Sequence, residues 1–306
     1  MAALLWINMT RMRRLLLLGV ALALGAPTPA AAWRAVAHRY ITARAVELLP
    51  PELAPFFVHY RDELVLRSND PDLWRVVGFD TEAPNHHIDF GVDDYGAYPF
   101  AALPREYGAA IEKFGATTVQ RHGLLPWRTT EEFGNLRRMF QGFTRNQMYV
   151  EGNTVLFAAA LAHYIQDAHQ PLHAHINFDG QLSGQNGVHS RFESELFERF
   201  QTRLAIRPPA LRPVVDANAF IWDVVLDSHQ LVPTILAADK AAAAGKETHD
   251  ADYFERFLSG VQPVLERQLS RAISATASAI VGAWEQAGRP PVRTSTARPI
   301  ERVPRR

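Results

Sequence analysis

The spacing within His163-Tyr-Ile-Gln-Asp167-Ala-His-Gln-Pro-Leu-His173, and again within His189-Ser-Arg-Phe-Glu193, constrains this chain more than any other feature. His163 and Asp167 are four residues apart, and so are His189 and Glu193. On an α-helix, residues i and i+4 share one face, one turn apart. If both segments are helical, each pair can close on a single ion. Imidazole with carboxylate is a ligand set suited to zinc. A lone His-x-x-x-Asp is more often a surface ion pair, and a lone His173 more often a hydrogen-bonded core residue. Their clustering, with further His and Asp upstream, favours a metal site. The chain has no Cys, so disulfides are excluded and any zinc must be held by N and O ligands.

Helical periodicity recurs over most of the length. Val36 to Leu49 reads as a helix stopped by Pro50-Pro51, and Glu52 to Leu66 as a second. Residues 67–103 are rich in Asp, Pro, Gly and aromatics and read as a long irregular connection, a kind of loop that is usually functional. Arg105 to His122, Thr130 to Met148 and Asn153 to His169 read as helices, the last closed by Pro171. Asn177 to Gly187 is a glycine-rich loop, and helix resumes from Gly187 to Ile206. Asp216 to Ala244 and Asp250 to Gln286 read as long Ala- and Leu-rich helices. The expected fold is all-α, a compact multi-helix single domain over residues 33–287, with no hairpin signal and no internal repeat. Residues 288–306, Pro- and Arg-rich, are expected to be disordered.

The N-terminus has the layout of a signal peptide over residues 1–32. Arg11, Arg13 and Arg14 precede an apolar core from Leu15 to Leu24, and Ala30-Ala31-Ala32 offers a small-residue cleavage site. Cleavage between Ala32 and Trp33 would export the protein to a periplasm or the extracellular medium. No later stretch is apolar enough to span a bilayer. Without residues 1–32, which carry three Arg and no acid, the chain holds 29 basic and 32 acidic side chains. That balance lacks the basic footprint of a dedicated nucleic-acid binder.

The run from His163 to His173, followed by Gly187-Val-His189-Ser-Arg-Phe-Glu193, resembles the zinc-dependent phospholipase C family of secreted bacterial enzymes. It is also similar to their relatives, the single-strand-specific zinc nucleases of fungi and plants. His-x-x-x-Asp-x-x-Gln-Pro-x-His is common to both branches. Glu193 stands where the nucleases typically have Asp, and the loop before His189 is shorter than theirs, so the resemblance is closer to the phospholipase branch. It covers most of residues 33–205. It implies an all-helical fold with three zinc ions at the bottom of a cleft.

The family's mature chain begins with Trp, whose α-amine and carbonyl bind zinc; cleavage here would leave Trp33 first, with His38 five residues on. His86-His87-Ile88-Asp89 is similar to the family's His-x-Ile-Asp, and Asp72-Leu-Trp-Arg75 to its Asp-x-x-Arg, with Asp70 an alternative to Asp72. The resemblance thus implies one zinc on Asp72, His86, His163 and Asp167. A second would sit on Trp33 and His38, sharing Asp167, and a third on His173, His189 and Glu193. Asp72 would double as general base. His169, His175 and Asp89 are candidates for supporting hydrogen bonds, whereas His59, His122, His229 and His249 lie outside the motifs.

The implied activity is hydrolysis of a phosphoric ester by zinc-activated water. The phospholipase reading takes a phospholipid headgroup, with a transient membrane-surface contact and no stable protein partner. The nuclease reading takes single-stranded nucleic acid and needs an aromatic platform, for which His87, Phe90, Tyr95 and Phe178 are candidates. A non-catalytic zinc-binding protein is the third reading.

Overall fold

The computed structural model describes residues 35–294 apart from positions 80 and 146. The expected signal peptide, Trp33 and residues 295–306 lie outside the described residues. Among the described residues the chain is all-helical and forms one compact domain, with no strand.

The helices are α1 (Ala35–Val46), α2 (Ala54–His59), α3 (Arg61–Arg67), α4 (Asp70–Val76), α5 (Tyr107–Phe114), α6 (Ala116–Arg121), α7 (Leu125–Thr144) and α8 (Val150–His169). After a glycine-rich loop come α9 (Val188–Ser190), a π-helical segment (Arg191–Glu195) and α10 (Leu196–Phe200). Then follow α11 (Ala217–His229), α12 (Val232–Ala243) and α13 (Ala251–Gln286). The Asp216 and Asp250 carboxylates cap α11 and α13, accepting from Ala219 N–H at 3.0 Å and Tyr253 N–H at 2.8 Å.

The structure breaks several of the expected elements. Asp216 to Ala244 is two helices, because Pro233 occupies the first turn of α12 and restarts the chain there. Arg105 to His122 divides at Gly115, whose positive φ of 80° ends α5. Glu52 to Leu66 divides at Tyr60. The connection 67–103 is only partly irregular: it contains α4 and the 3₁₀ turns Ala83–His86 and Asp93–Tyr95.

Helix α8 is central. Every residue from Ala158 to His169 is buried, so the helix has no solvent face in its C-terminal half. Its partners are α7, α13, α3, α11 and α1. Val155, Ala158, Leu161 and Ile165 pack into one core with α1 and α13, and Ala160, Tyr164 and Ala168 into another with Ile88, Phe90, Phe100 and Trp222. Alanine suits this place: it has the highest helix propensity and lets neighbouring backbones approach closely. His163, Gln166 and Asp167 therefore sit between two apolar cores, where a polar group without partners is costly.

A second set of constraints comes from backbone ties. Ile88 N–H donates to His173 O at 2.8 Å, Ile176 N–H to Phe90 O at 2.8 Å and Leu125 N–H to His87 O at 3.2 Å. The first two bonds stitch the segment after His86 to the turn carrying His173, and the third ties it to the start of α7. Gly123 permits the approach: its φ is 98°, and a Cβ there would lie 2.1 Å from His87 O. At the far end, Trp284 Nε1–H donates to Pro290 O at 2.8 Å and Val292 packs on the core, which seats residues 290–292.

Candidate metal centre

Five histidines and three carboxylates from seven segments converge beside α8. Three sets of ligand atoms each fall within 4.8 Å of one another: His38, Asp72 and His163; His86, His163 and Asp167; His173, His189 and Glu193. Asp167 is the hub. Its Oδ2 lies 2.9 Å from His86 Nδ1 and 3.2 Å from His163 Nε2, and its Oδ1 lies 3.5 Å from His38 Nε2 and 3.6 Å from His173 Nδ1.

The hydrogen bonds behind the rings decide which nitrogens face inward. His163 Nδ1 lies 2.8 Å from Ser68 O, His173 Nδ1 2.7 Å from His86 O and His189 Nδ1 3.1 Å from Phe178 O. A carbonyl oxygen can only accept, so each ring donates from Nδ1 and presents a bare lone pair on Nε2. His173 Nε2 and His189 Nε2 then face each other at 3.2 Å, with Glu193 Oε2 2.5 Å from the latter and 3.9 Å from the former. When both rings are neutral, three acceptors converge with no proton between the two nitrogens; burial favours that state at His189, while Glu193 opposes it and raises the ring. A bound cation resolves that conflict. Ligands about 2.0–2.2 Å from a tetrahedral ion stand roughly 3.3 Å apart, close to the spacings here.

His86 is used the other way round. Its Nδ1 points into the cluster, 3.0 Å from His163 Nε2, while Nε2 is 3.5 Å from Glu82 Oε1. Glu82 also accepts from Tyr164 O–H and from Asn85 Nδ2–H at 3.1 Å. Several buried atoms in the cluster have no hydrogen-bond partner: His38 Nε2, His86 Nε2, Asp72 Oδ1, Asp167 Oδ1 and Glu193 Oε1. Buried orphans are rare in native proteins and call for an explanation. Here four of the five belong to inward-facing ligand groups, which fits a bound cation.

Electrostatics agree with the geometry. Burial opposes charge on His86, yet the neighbouring Asp167 and Glu82 carboxylates outweigh it and hold the ring up at about 9. Burial also works against Asp167, but His163 and His173 keep it well below the usual carboxylate range. Burial, aided by His163, pushes His38 down to about 3, and burial pushes Glu193 up to about 7 despite His189. Burial raises Asp72.

The π-helical segment shapes the His173 cluster. One extra residue in the turn re-aims the side chains around it, and it holds Glu193 under His189. Arg191 anchors this segment. Its Nε and Nη2 donate to Asp239 Oδ1 at 3.1 and 2.9 Å, and its Nη1 and Nη2 to the loop carbonyls of Asn186 and Gln185 at 2.8 and 3.1 Å.

Of the expected site residues, His38, Asp72, His86, His163, Asp167, His173, His189 and Glu193 are all brought together. Asp72 Oδ1 lies 3.9 Å from His86 Nδ1 and also groups with His38 and His163. Asp70 instead meets Arg67 Nη1 at 3.3 Å. Two residues weighed for support are occupied elsewhere. His169 Nδ1 donates to Ile165 O at 2.8 Å, and His175 Nδ1 accepts from Asn177 N–H at 2.8 Å while its ring stacks on His229 at 5.0 Å. The supporting residues that sequence reasoning missed are Glu82, Gln166 and Gln170. Gln170 Nε2–H donates to Glu193 Oε2 at 3.2 Å, and Gln166 meets His38 at 2.7 Å. Both glutamines lie inside the His163–His173 run, and their place between the ligand candidates was the available signal.

Acid should destabilise the metal-free protein. Burial lowers His38 to about 3 and His87, His169 and His175 to about 4, against an ordinary value of 6.5. Between those values the unfolded chain binds more protons, so the stabilisation is present above pH 6.5 and is lost as pH falls toward 4. Glu193 and Asp89, both raised by burial to about 7, hold protons in the folded state over this range and oppose the effect as two groups against four, whereas His86 and His189 oppose it only above pH 6.5. Each lowered histidine contributes up to about 1.4 kcal/mol per pH unit. Thermal unfolding of chelator-treated protein should show a midpoint that drops steadily from pH 7 to pH 5; a flat midpoint contradicts this.

No protein-family model matches the chain, and no curated protein matches it.

Proposed function

We propose that this chain is an exported zinc-dependent phosphodiesterase of the phospholipase C type, hydrolysing a phospholipid at its headgroup phosphate. The observation that carries this reading is the buried convergence of His, Asp and Glu acceptors, with exposed apolar side chains following Asp72 in the chain. Zinc has the N/O preference of this donor set. His86, His163, Asp167 and Asp72 would hold one ion, His38 with Trp33 and Asp167 another, and His173, His189 and Glu193 a third. Zinc bound there supplies Lewis acidity and lowers the pKa of water at the phosphate.

The chain's own groups have definable tasks. Asp72 has a buried Oδ1 with no hydrogen-bond partner and a carboxyl group raised by burial, which suits it to take a proton from water. Arg75 Nη2, 3.5 Å from Asp72 Oδ1, orients that carboxylate. Leu73, Val76, Val77 and Phe79, each more than half exposed, follow Asp72 directly in the chain. Exposed apolar side chains so near a ligand residue in the chain suit the approach of a lipid.

The second reading is a single-strand-specific nuclease. Phe90 and Tyr95 are fully buried and cannot stack a base. Phe178 keeps this reading open: its ring is exposed while its carbonyl holds His189.

A substrate panel on zinc-loaded protein with a verified Trp33 N-terminus tests the proposal. Turnover of phosphatidylcholine without turnover of single-stranded DNA is the expected result, and the reverse favours the nuclease. Stoichiometric zinc with neither activity would leave a binding protein. His173→Ala should lose one zinc and most activity, and retained activity removes the His173 cluster from the chemistry.

A further inference from the structure

We propose that Gln166 is a positioning residue which locks His38 in the tautomer with hydrogen on Nδ1, so that the Nε2 lone pair is aimed at Asp167 and is ready for a cation. The inference rests on the reading above in taking His38 as a ligand.

Gln166 is fully buried in the middle of α8, next to Asp167. Its Oε1 lies 2.7 Å from His38 Nδ1, and its Nε2–H donates to Thr42 Oγ1 at 2.9 Å. His38 and Thr42 are four residues apart on α1, so one side chain grips a single face of that helix at two points. The amide stands with its nitrogen toward Thr42 and its oxygen toward the ring, where it is an acceptor for an N–H.

On its other side, His38 Nε2 is 3.5 Å from Asp167 Oδ1, beyond the usual N–H···O range. The short contact is at Nδ1, so that is where the proton resides. His38 Nε2 and Asp167 Oδ1 are both buried with no hydrogen-bond partner. Two facing acceptors separated by 3.5 Å are arranged to share an ion. The ring is further held by stacking on His163, with centroids 4.2 Å apart and planes 21° from parallel. The rings of His163, His173 and His189 donate from Nδ1 to backbone carbonyls, whereas His38 donates from Nδ1 to a side chain, so its hydrogen-bond partner can be removed by substitution.

A structural role alone makes opposite predictions for two variants. If Gln166 only fills space, Gln166→Met should be tolerated and Gln166→Glu, which buries a charge, should be worse. If it positions His38, Gln166→Glu keeps the acceptor and Gln166→Met removes it.

The test uses the full chain processed to Trp33. Zinc affinity is measured by competition with a chromophoric chelator, and the His38 tautomer by ¹⁵N NMR of the zinc-free protein. Gln166→Met should weaken one zinc by about 10–100-fold, the same ion weakened by His38→Ala, and His38 should no longer hold a single tautomer. Gln166→Glu should bind that zinc at least as tightly as the natural protein and keep hydrogen on Nδ1. The inference is overturned if the natural protein carries the His38 proton on Nε2, or if Gln166→Met keeps both the tautomer and the affinity. A natural protein with the Nδ1–H tautomer that binds no zinc upholds the positioning role and overturns the functional reading instead.

Discussion

Asp167→Asn should be the most damaging single substitution in this protein. The carboxylate is completely buried and faces His38, His86, His163 and His173 at 2.9 to 3.6 Å. Asparagine keeps the shape but removes the charge that offsets protonated His86, and it turns one acceptor into a donor pointing at ring nitrogens. Removing one partner from a buried ionic network costs about 3–5 kcal/mol. For a domain of this size that corresponds to a fall in the unfolding midpoint of roughly 6–20 °C. Zinc content should drop by the ions that share Asp167, while the ion on His173, His189 and Glu193 should be retained, because its ligands do not include Asp167. Metal analysis and thermal unfolding of the purified variant check both statements. A variant with undiminished zinc and midpoint would remove Asp167 from its central place.

Chelation should have the next largest effect. A ligand that binds only the folded state stabilises it by about 4 kcal/mol per site at a thousandfold excess over its dissociation constant. Two tight sites would therefore shift the midpoint by well over 10 °C on this scale. The close ring-nitrogen pairs at 3.0 and 3.2 Å, His86 with His163 and His173 with His189, are the structural reason. Without a cation, each pair needs a proton or repels. EDTA should lower the midpoint, zinc should restore it and magnesium should not, because magnesium prefers oxygen ligands. An unfolding curve unchanged by EDTA would argue against structural dependence on metal.

Much of this was legible in the sequence because the decisive information is local. His163 with Asp167 and His189 with Glu193 are pairs within one helical turn, and the pattern of α8 and α13 is long enough to read directly. The breaks were less legible, since a single Pro233 or Gly115 within an Ala-rich run competes with strong helical periodicity on either side. The support network was hardest to read. Glu82 matters to His86 only because the turn Ala83–His86 folds the ring back toward it and Tyr164 O–H comes up from α8. The carbonyls of Ser68, His86 and Phe178 matter through their position, and a backbone oxygen has no sequence signature. Gln166 was printed in the middle of the most informative run, yet its meaning depends on α1 packing across α8, a contact between residues 128 apart in the chain.

Zinc binding by this buried cluster of acceptors, its parts joined by Asp167, underlies the proposed function. Anomalous diffraction from crystals of zinc-loaded protein, recorded on both sides of the zinc absorption edge, tests it most directly. One peak is expected among His86, His163 and Asp167, a second between His38 and Asp167, and a third among His173, His189 and Glu193. Fully loaded protein with no anomalous peak in this cluster would contradict it.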